Sequence, residues 1–422
     1  MARSARFDVK DLALAPHGIQ RLDLLEHDLP VLAAVRARFA RERPLGGVRV
    51  AACLHVTAAG GALARTIAAG GADLVLCAAA TTSTEDDVAA ALVVDREIPV
   101  LGIRDEEHER YYAHLDAACD HRPQVALDHG GDLLGVLHGA RREQLGNVLG
   151  GTVDAATGAM RMRALEAASA LAFPVVAVFE ADSLHLLDDT HGSSQGVFEA
   201  LARIAGLLLA GTRLVIAGYG AWGRELATRA RGSGAIVTVT EVDAGRALAA
   251  RLDGFDVMPM RRAAALGDVF LTATGGRHAI RSEHLELMRD GVVLANAGHS
   301  NVEIELAALR SLPVASQPRG PGLEAFTLPD GRELILVAKG RVVNHPSLQP
   351  RPSLVEDVVL AAQALAVEYL VVHAPELERR VSALPAPVDR ELASLKLGVM
   401  GVEIDRLTDD QARYLRSWAE ET

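Results

Sequence analysis

Short apolar runs rich in β-branched residues recur along the chain, each separated from the next by a helix-length stretch of mixed apolar and polar positions. In the first half the runs are Val48 to Cys53, Asp73 to Cys77, Pro99 to Ile103, Val125 to Leu127 and Pro174 to Val178. Strands with one wet face would alternate; these do not, and they predict a parallel sheet covered by helices on both faces. Ahead of them, residues 1–45 read as a polar arm and a helix, with Leu22, Leu24, Leu25 and Leu32, Ala33, Val35 at mixed helical spacing.

The second half opens with a polar stretch, Asp188 to Gly196, which predicts a hinge loop before a helix from Val197 to Leu209. Then comes an apolar run from Leu214 to Ala217, the turn Gly218-Tyr219-Gly220-Ala221-Trp222-Gly223, a helical stretch from Arg224 to Arg231, and a second strand from Ile236 to Thr240 that ends at Glu241. This strand, glycine turn, helix and acid-tipped strand together form a dinucleotide fingerprint. Gly218 permits the tight turn, Gly220 lets backbone N–H groups approach a pyrophosphate, and Gly223 lets the helix pack on the sheet. Glu241 stands where a carboxylate takes ribose hydroxyls and repels the extra phosphate of NADP, so NAD is the expected cofactor; Arg246, five residues on, weakens that preference. Strands at Val269 to Thr272, Val292 to Asn296, Pro313 to Ala315 and Glu333 to Val337 would complete a doubly wound sheet. Asn344 starts the return crossing, a helix from Ser353 to Leu370 leads back, and residues 371–422 read as a charged terminal segment. The expected fold is α/β, with two doubly wound parallel-sheet domains. The substrate-binding domain comprises residues 1–188 and 346–422, and a Rossmann NAD-binding domain, 189–345, is inserted in it.

Composition narrows the partners. The 422 residues are 50% hydrophobic and only 4% aromatic, with a formal charge of −12. A nucleic-acid surface would need basic and stacking residues, so no nucleic acid is expected. Cys53, Cys77 and Cys119 have no paired spacing, and no signal peptide or membrane-length apolar run occurs, which together suggest a reduced, cytoplasmic protein without a membrane partner. Among 43 Lys and Arg residues there are just three lysines, Lys10, Lys339 and Lys396.

Ligands of parallel sheets bind beyond the carboxyl ends of the strands. There the sequence places His55 and Thr57, Ser83 to Asp86, Asp128 and His129, Glu180 to Ser183, and Asn296 to His299. Each also reads as a helix cap or a satisfied polar residue. Gly192-Ser193-Ser194-Gln195-Gly196 matches a nucleophile elbow without the strand that must precede one. His185, Asp188, Asp189 and His191 lack the spacing of a metal site, and no metal is expected.

With these motifs in view, the chain resembles the S-adenosylhomocysteine hydrolase family over nearly its whole length. The resemblance lies in Leu54-His55-Val56-Thr57, Ser83 to Asp86, Leu127 to Leu133, AGYGAWG at 217–223, VTEVD at 239–243, TATG at 272–275, NAGHSNVEIE at 296–305, TLPDGR at 327–332 and GRVVN at 340–344. It implies a homo-oligomeric enzyme whose substrate domain closes over NAD and a nucleoside. There the 3′-hydroxyl is oxidised, the 4′-proton removed, the 5′ group eliminated, water added and the ketone reduced again. Residues implied in catalysis are His55, His129, Asp154, Asp188 and His299, with Thr57, Asp189 and Arg351 contacting substrate. Those implied at the cofactor are Thr157, Gly218, Gly220, Gly223, Glu241, Thr274, Asn296, His299 and Asn344.

The departures from the family pattern concentrate on the substrate. Leu184 falls where the family has its catalytic lysine, and no lysine occurs between Lys10 and Lys339. His129 replaces an aspartate, Asp154 a glutamate, Asp189 an asparagine, Ala59 the purine-edge reader, Phe179 a site asparagine, and Arg351 a histidine at the homocysteine end. The family's C-terminal extension is not seen. A redox-assisted lyase with a small leaving group such as water is therefore expected, with His129 as the replacement base and His185 as the fallback. An S-adenosylhomocysteine hydrolase with an altered site and an inactive nucleotide-binding regulator are the alternatives.

Overall fold

The computed structural model describes residues 7–298, 301–343 and 352–415, with residues 188–191 described by their backbone alone. The five apolar runs of the first half become parallel strands β1 (Arg49–Leu54), β2 (Asp73–Ala78), β3 (Val100–Leu101), β4 (Val125–Asp128) and β6 (Val175–Ala177), and a further strand that no run marked, β5 (Gly150–Val153), lies between β4 and β6. The second half supplies β7 (Arg213–Ala217), β8 (Ile236–Thr240), β9 (Asp256–Val257), β10 (Val269–Thr272), β11 (Val292–Asn296), β12 (Ala315–Gly320), β13 (Leu323–Thr327) and β14 (Glu333–Val337), and β15 (Val381–Ala383) follows near the C-terminus. One sheet has the order β15-β6-β5-β4-β1-β2-β3, and the other β12-β13-β14-β11-β10-β7-β8-β9. In the first, the order reverses between β1 and β4; in the second, between β7 and β10. Such reversals leave a crevice at the carboxyl ends of the two strands, because the following connections diverge to opposite faces.

β5 lacks the apolar signature of its neighbours for a packing reason. A Cβ on Gly150 would come within 2.7 Å of Leu370, and one on Gly151 within 2.7 Å of Leu134, so helices press on both faces of this strand too closely for side chains. Leu370 belongs to α7 of the helices labelled here: α1 (Pro30–Glu42), α2 (Ala58–Ala69), α3 (Asp132–His138), α4 (Ala156–Ala167), α5 (Ser194–Ala205), α6 (Ala221–Gly232), α7 (Ser353–His373) and α8 (Ala386–Val399). Apart from polar Asp357 and Gln363, α7 is apolar in every buried position from Val355 to Leu370, and it packs against α1, α2, β4 and β5 in the interior of the first unit. Its buried Asp357 accepts from the Val31 and Leu32 amides at 3.1 and 2.9 Å, satisfying donors at the start of α1 that no helical carbonyl can reach. Burial raises the Asp357 pKa, against the opposing effect of those two amides and of Lys396, whose Nζ is 3.8 Å away.

Three expectations about the chain path need correction. The segment after residue 371 carries β15, which pairs with β6, and α8, so it extends the first sheet and its cover. The stretch Asp188 to Gly196 is helical: a π-helical span His185–Ser193 runs directly into α5, and Arg229 Nε donates to the buried Ser194 Oγ at 2.8 Å, so Ser194 is no elbow nucleophile. The strand expected at Pro313 to Ala315 is instead the start of the β12–β13 hairpin, whose antiparallel strands extend the otherwise parallel second sheet. β12 is exposed at every residue and so had no apolar run to betray it. No described helix is long and apolar enough to cross a membrane.

Candidate active site

At the β7/β10 reversal the glycines meet steric demands. Gly218 has φ of +98°, and a Cβ there would lie 2.8 Å from the Ala273 carbonyl oxygen at the end of β10. A Cβ on Gly223 would lie 2.1 Å from Gly218 O, so the first turn of α6 fits against the strand only without a side chain. Gly220, just before α6, faces open space: a Cβ there would meet only Arg246, at 3.9 Å. The N-terminus of α6 thus presents free backbone donors and a positive dipole end to an approaching pyrophosphate. Glu241, beyond β8, accepts from the Tyr219 amide at 2.7 Å and from the Val242 and Asp243 amides at 2.6 and 3.0 Å. Burial alone would raise its pKa; the Asp243, Tyr219 and Val242 amides and then Arg246 outweigh that and hold it below the usual value. Three amides occupy three of the four lone-pair positions of the carboxylate, which leaves one for a ribose hydroxyl. These features fit NAD, and the residues that would hold it are the Gly218–Gly223 turn and Glu241.

The opposite wall of this crevice is built on a residue the sequence did not single out. Glu303, fully buried, accepts from Thr274 N and Oγ1, both at 2.8 Å, and from Gly275 N at 2.9 Å. It therefore fixes the loop after β10. Asn296 is also fully buried: its Oδ1 accepts from Thr272 Oγ1 and Gly298 N, and its Nδ2 donates to Gly340 O, tying together the ends of β10, β11 and β14. Trp222 Nε1 donates to Ala297 O at 2.6 Å and joins α6 to the same wall.

At the β1/β4 reversal side chains, not backbone, come together. Cys53 and Asp128 are in register, and the chain beyond them delivers His55 and His129 to one place, with ring centroids 4.3 Å apart and planes inclined at 57°. His129 Nδ1 lies 2.5 Å from Asp154 Oδ1 beyond the adjacent β5, and Gln363 Nε2 of α7 donates to Asp154 Oδ2 at 2.9 Å. Asp154 is almost enclosed, its side chain 8% exposed, whereas that of His129 is 24% exposed. A carboxylate anchored inside and an imidazole reaching outward is an arrangement able to move a proton between protein and ligand. Asp128 supports it from beneath, accepting from Gly131 N and Leu134 N at 2.9 Å each, which shapes the turn after His129. Burial pushes the Asp128 carboxyl up to about 6, against those two amide hydrogen bonds.

The remaining expected residues are dispersed. Thr57 caps α2, its Oγ1 accepting from Gly60 N at 3.3 Å, and Thr157 is exposed in the first turn of α4. Thr274 is exposed at the crevice lip. Glu85 and Asp86 serve structure: Glu85 accepts from Ala58 N and Arg21, and Asp86 from Lys10 and Arg104 N. Leu184 is 3% exposed and packed in the main core with Val178 and Ala181. Of the three lysines, Lys10 is paired with Asp86, Lys339 is exposed after β14, and Lys396 donates to Leu354 O. His299, Asn344 and Arg351, and the side chains of Asp188 and Asp189, lie outside the described residues. Gln363 went unnoticed in the sequence, although a lone amide inside the apolar stretch Val358 to Val367 was the signal that could have found it.

Two largely parallel α/β sheets, each with a reversal point lined by candidate groups and one bearing a dinucleotide turn, define the class of NAD-dependent two-domain α/β enzymes. The chain belongs to the S-adenosyl-L-homocysteine hydrolase family: its model matches residues 6–150, and the model of that family's NAD-binding domain matches residues 189–348. The adenosylhomocysteinase of Aquifex aeolicus is 46% identical over 98% of this chain and 99% of that protein. Those of Thermosynechococcus vestitus and Saccharolobus solfataricus are 43% and 42% identical, over 99% and 98% of this chain and 97% and 99% of theirs. The NAD-binding domain is inserted in the other, and the cofactor is NAD.

Proposed function

We propose that this chain catalyses redox-assisted elimination at the 5′ position of a nucleoside-like substrate, with the His129–Asp154 pair as its proton carrier. The substrate is held by residues 1–188 with 346–422 and the cofactor by 189–345. When bound, NAD supplies a hydride acceptor and donor, which permits transient oxidation of the sugar and leaves no net consumption of cofactor. The protein's own task is to move protons. An ionised Asp154 only accepts, so His129 Nδ1 carries a hydrogen toward it and Nε2 serves as the base. A proton taken from C4′ by Nε2 makes an imidazolium that Asp154 stabilises, and the same proton can be returned to a departing hydroxyl. His55, beside His129, is positioned to contact the same sugar.

The observation that carries this reading is the 2.5 Å His129–Asp154 contact at the β1/β4 reversal, in a chain with Leu184 at the lysine position. The identity to adenosylhomocysteinases favours a second reading, in which S-adenosylhomocysteine itself is the substrate and the pair compensates for the lysine. The two separate when the protein, with NAD, is given S-adenosylhomocysteine and a panel of nucleosides with hydroxyl at the 5′ position, and transient NADH absorbance and deuterium entry at C4′ are followed. Exchange and elimination with a 5′-hydroxyl nucleoside, and slow or no release of homocysteine, is the expected result. Rapid homocysteine release would establish the second reading, and no cofactor reduction by any nucleoside would defeat both.

A further inference from the structure

Resting on the reading of His129 as proton carrier, we infer that Gln363 is the positioning residue that selects the imidazole tautomer. β5 and the residue after it present Gly150, Thr152 and Asp154 on one face by strand alternation, and α7 packs on that face. Leu370 meets Gly150, and Gln363, two helical turns earlier on the same face of α7, meets Asp154. Gln363 is 3% exposed and its neighbours on the helix are apolar, so its amide is held by packing and has no solvent alternative.

The chemistry then fixes the orientations in sequence. Asp154 has only acceptors, so Gln363 must present Nε2 to it; the flipped amide would set Oε1 against a carboxylate oxygen. With Oδ2 taken by Gln363 and Oδ1 by His129, the carboxylate is pinned from both sides and cannot rotate away from the ring. His129 is therefore held with Nδ1 protonated. Gln363 Oε1 remains buried without a hydrogen-bond partner among the described residues. A buried acceptor left unsatisfied is costly, and the amide keeps this orientation because its donor end is the one in demand.

The test is the tautomer of His129, read by nitrogen NMR on imidazole-labelled protein with no substrate present, in the unaltered chain and in Gln363→Met. Methionine has similar length and no donor. We expect the unaltered protein to hold His129 as the Nδ1–H tautomer and Gln363→Met to populate Nε2–H as well. C4′ deuterium exchange should then fall at least about tenfold, as when a base loses its orienting carboxylate, with NAD affinity unchanged. Gln363→Glu should recover exchange only at acid pH, where the substituted side chain, once protonated, can donate again. An Nε2–H tautomer in the unaltered protein, or an unchanged tautomer in Gln363→Met, overturns the inference. If Gln363→Met fails to fold, an Nε2–H tautomer in the unaltered protein still overturns the inference, and so does a His129 tautomer in Gln363→Glu that is the same at acid and neutral pH. Because the tautomer is read without substrate, it stands apart from the reaction: a shifted tautomer in a protein that acts on no nucleoside would defeat the functional reading and leave the positioning role intact.

Discussion

The two reversal points of this molecule are built from different materials. At β7/β10 the crevice is a backbone object: a positive φ at Gly218, a Cβ-free approach at Gly223, an open face at Gly220, and Glu241 and Glu303 held by amide N–H groups. At β1/β4 the strands meet in the same way, but the groups brought together there are the side chains His55, His129, Asp154 and Gln363. A backbone site can change only if the fold changes, whereas a side-chain site can be rewritten residue by residue on an unaltered sheet. On the proposed reading, this difference would let a chain keep the family's cofactor turn while the side chains of its other site are replaced.

The sharpest break between the two sites should come from His129→Ala. General-base assistance is worth about 10²–10⁴ in rate, and C4′ deuterium exchange should fall by that amount while the affinity for NAD stays within about twofold. Normal exchange in the variant would remove His129 from the chemistry.

The glycines break the other side, and they differ among themselves. Gly223→Ala places a methyl 2.1 Å from Gly218 O, where only backbone could yield, and should both lower thermal stability and weaken NAD about a hundredfold, close to 3 kcal/mol. Gly220→Ala meets nothing in the free protein except the end of Arg246 at 3.9 Å. It should leave stability unchanged and still weaken NAD, because its methyl stands where the pyrophosphate approaches. Calorimetric titration and thermal unfolding of both variants check the pair; equal destabilisation of the free proteins would show that the Gly220 face is not open.

The same contrast governs what the sequence reveals. A backbone site is written in glycines at fixed intervals and an acid at the right distance, so the strand, the turn Gly218 to Gly223, the helix and the next strand ending before Glu241 could be read directly. A side-chain site draws its members from remote positions, and the partner of Asp154 comes from residue 363, which periodicity marks only as core. β5 escaped because close helix packing on both faces requires glycine where a strand usually shows valine or isoleucine. The π-helical span escaped because its polar and glycine residues look like a loop until the flanking helices are seen to be continuous with it.

The substrate side should also respond to pH, in the opposite sense to Glu241 on the cofactor side. Asp128 beneath His129 is raised to about 6 from an ordinary 3.8, so the folded protein holds its proton more tightly than the unfolded chain does. The resulting stabilisation is fully present below pH 3.8 and is lost as the pH rises through 6, a change on the order of 2–3 kcal/mol in this group's contribution. Asp128→Asn should erase that component from the stability profile between pH 4 and 7, as measured by denaturant unfolding. An identical pH dependence in both proteins would show that burial does not disfavour this carboxylate.

The smallest effect expected is in cofactor choice. Three amides help hold Glu241 below its usual pKa, and on the reading that this carboxylate takes the ribose hydroxyls, a phosphate at the 2′ position would be repelled. Arg246 acts in the opposite sense. Its guanidinium reaches to within 3.9 Å of the position a Gly220 Cβ would take and so lies at the phosphate side of the crevice, which limits the discrimination. The unaltered protein should bind NAD about tenfold more tightly than NADP, close to 1.4 kcal/mol. Glu241→Gln retains the shape and removes the charge; it should narrow the ratio to near one, chiefly by improving NADP, while Arg246→Ala should widen it. Titration of the three proteins with both cofactors checks this. Equal affinity of the unaltered protein for NAD and NADP would mean that Glu241 only braces the glycine turn through the Tyr219 amide and takes no part in reading the ribose.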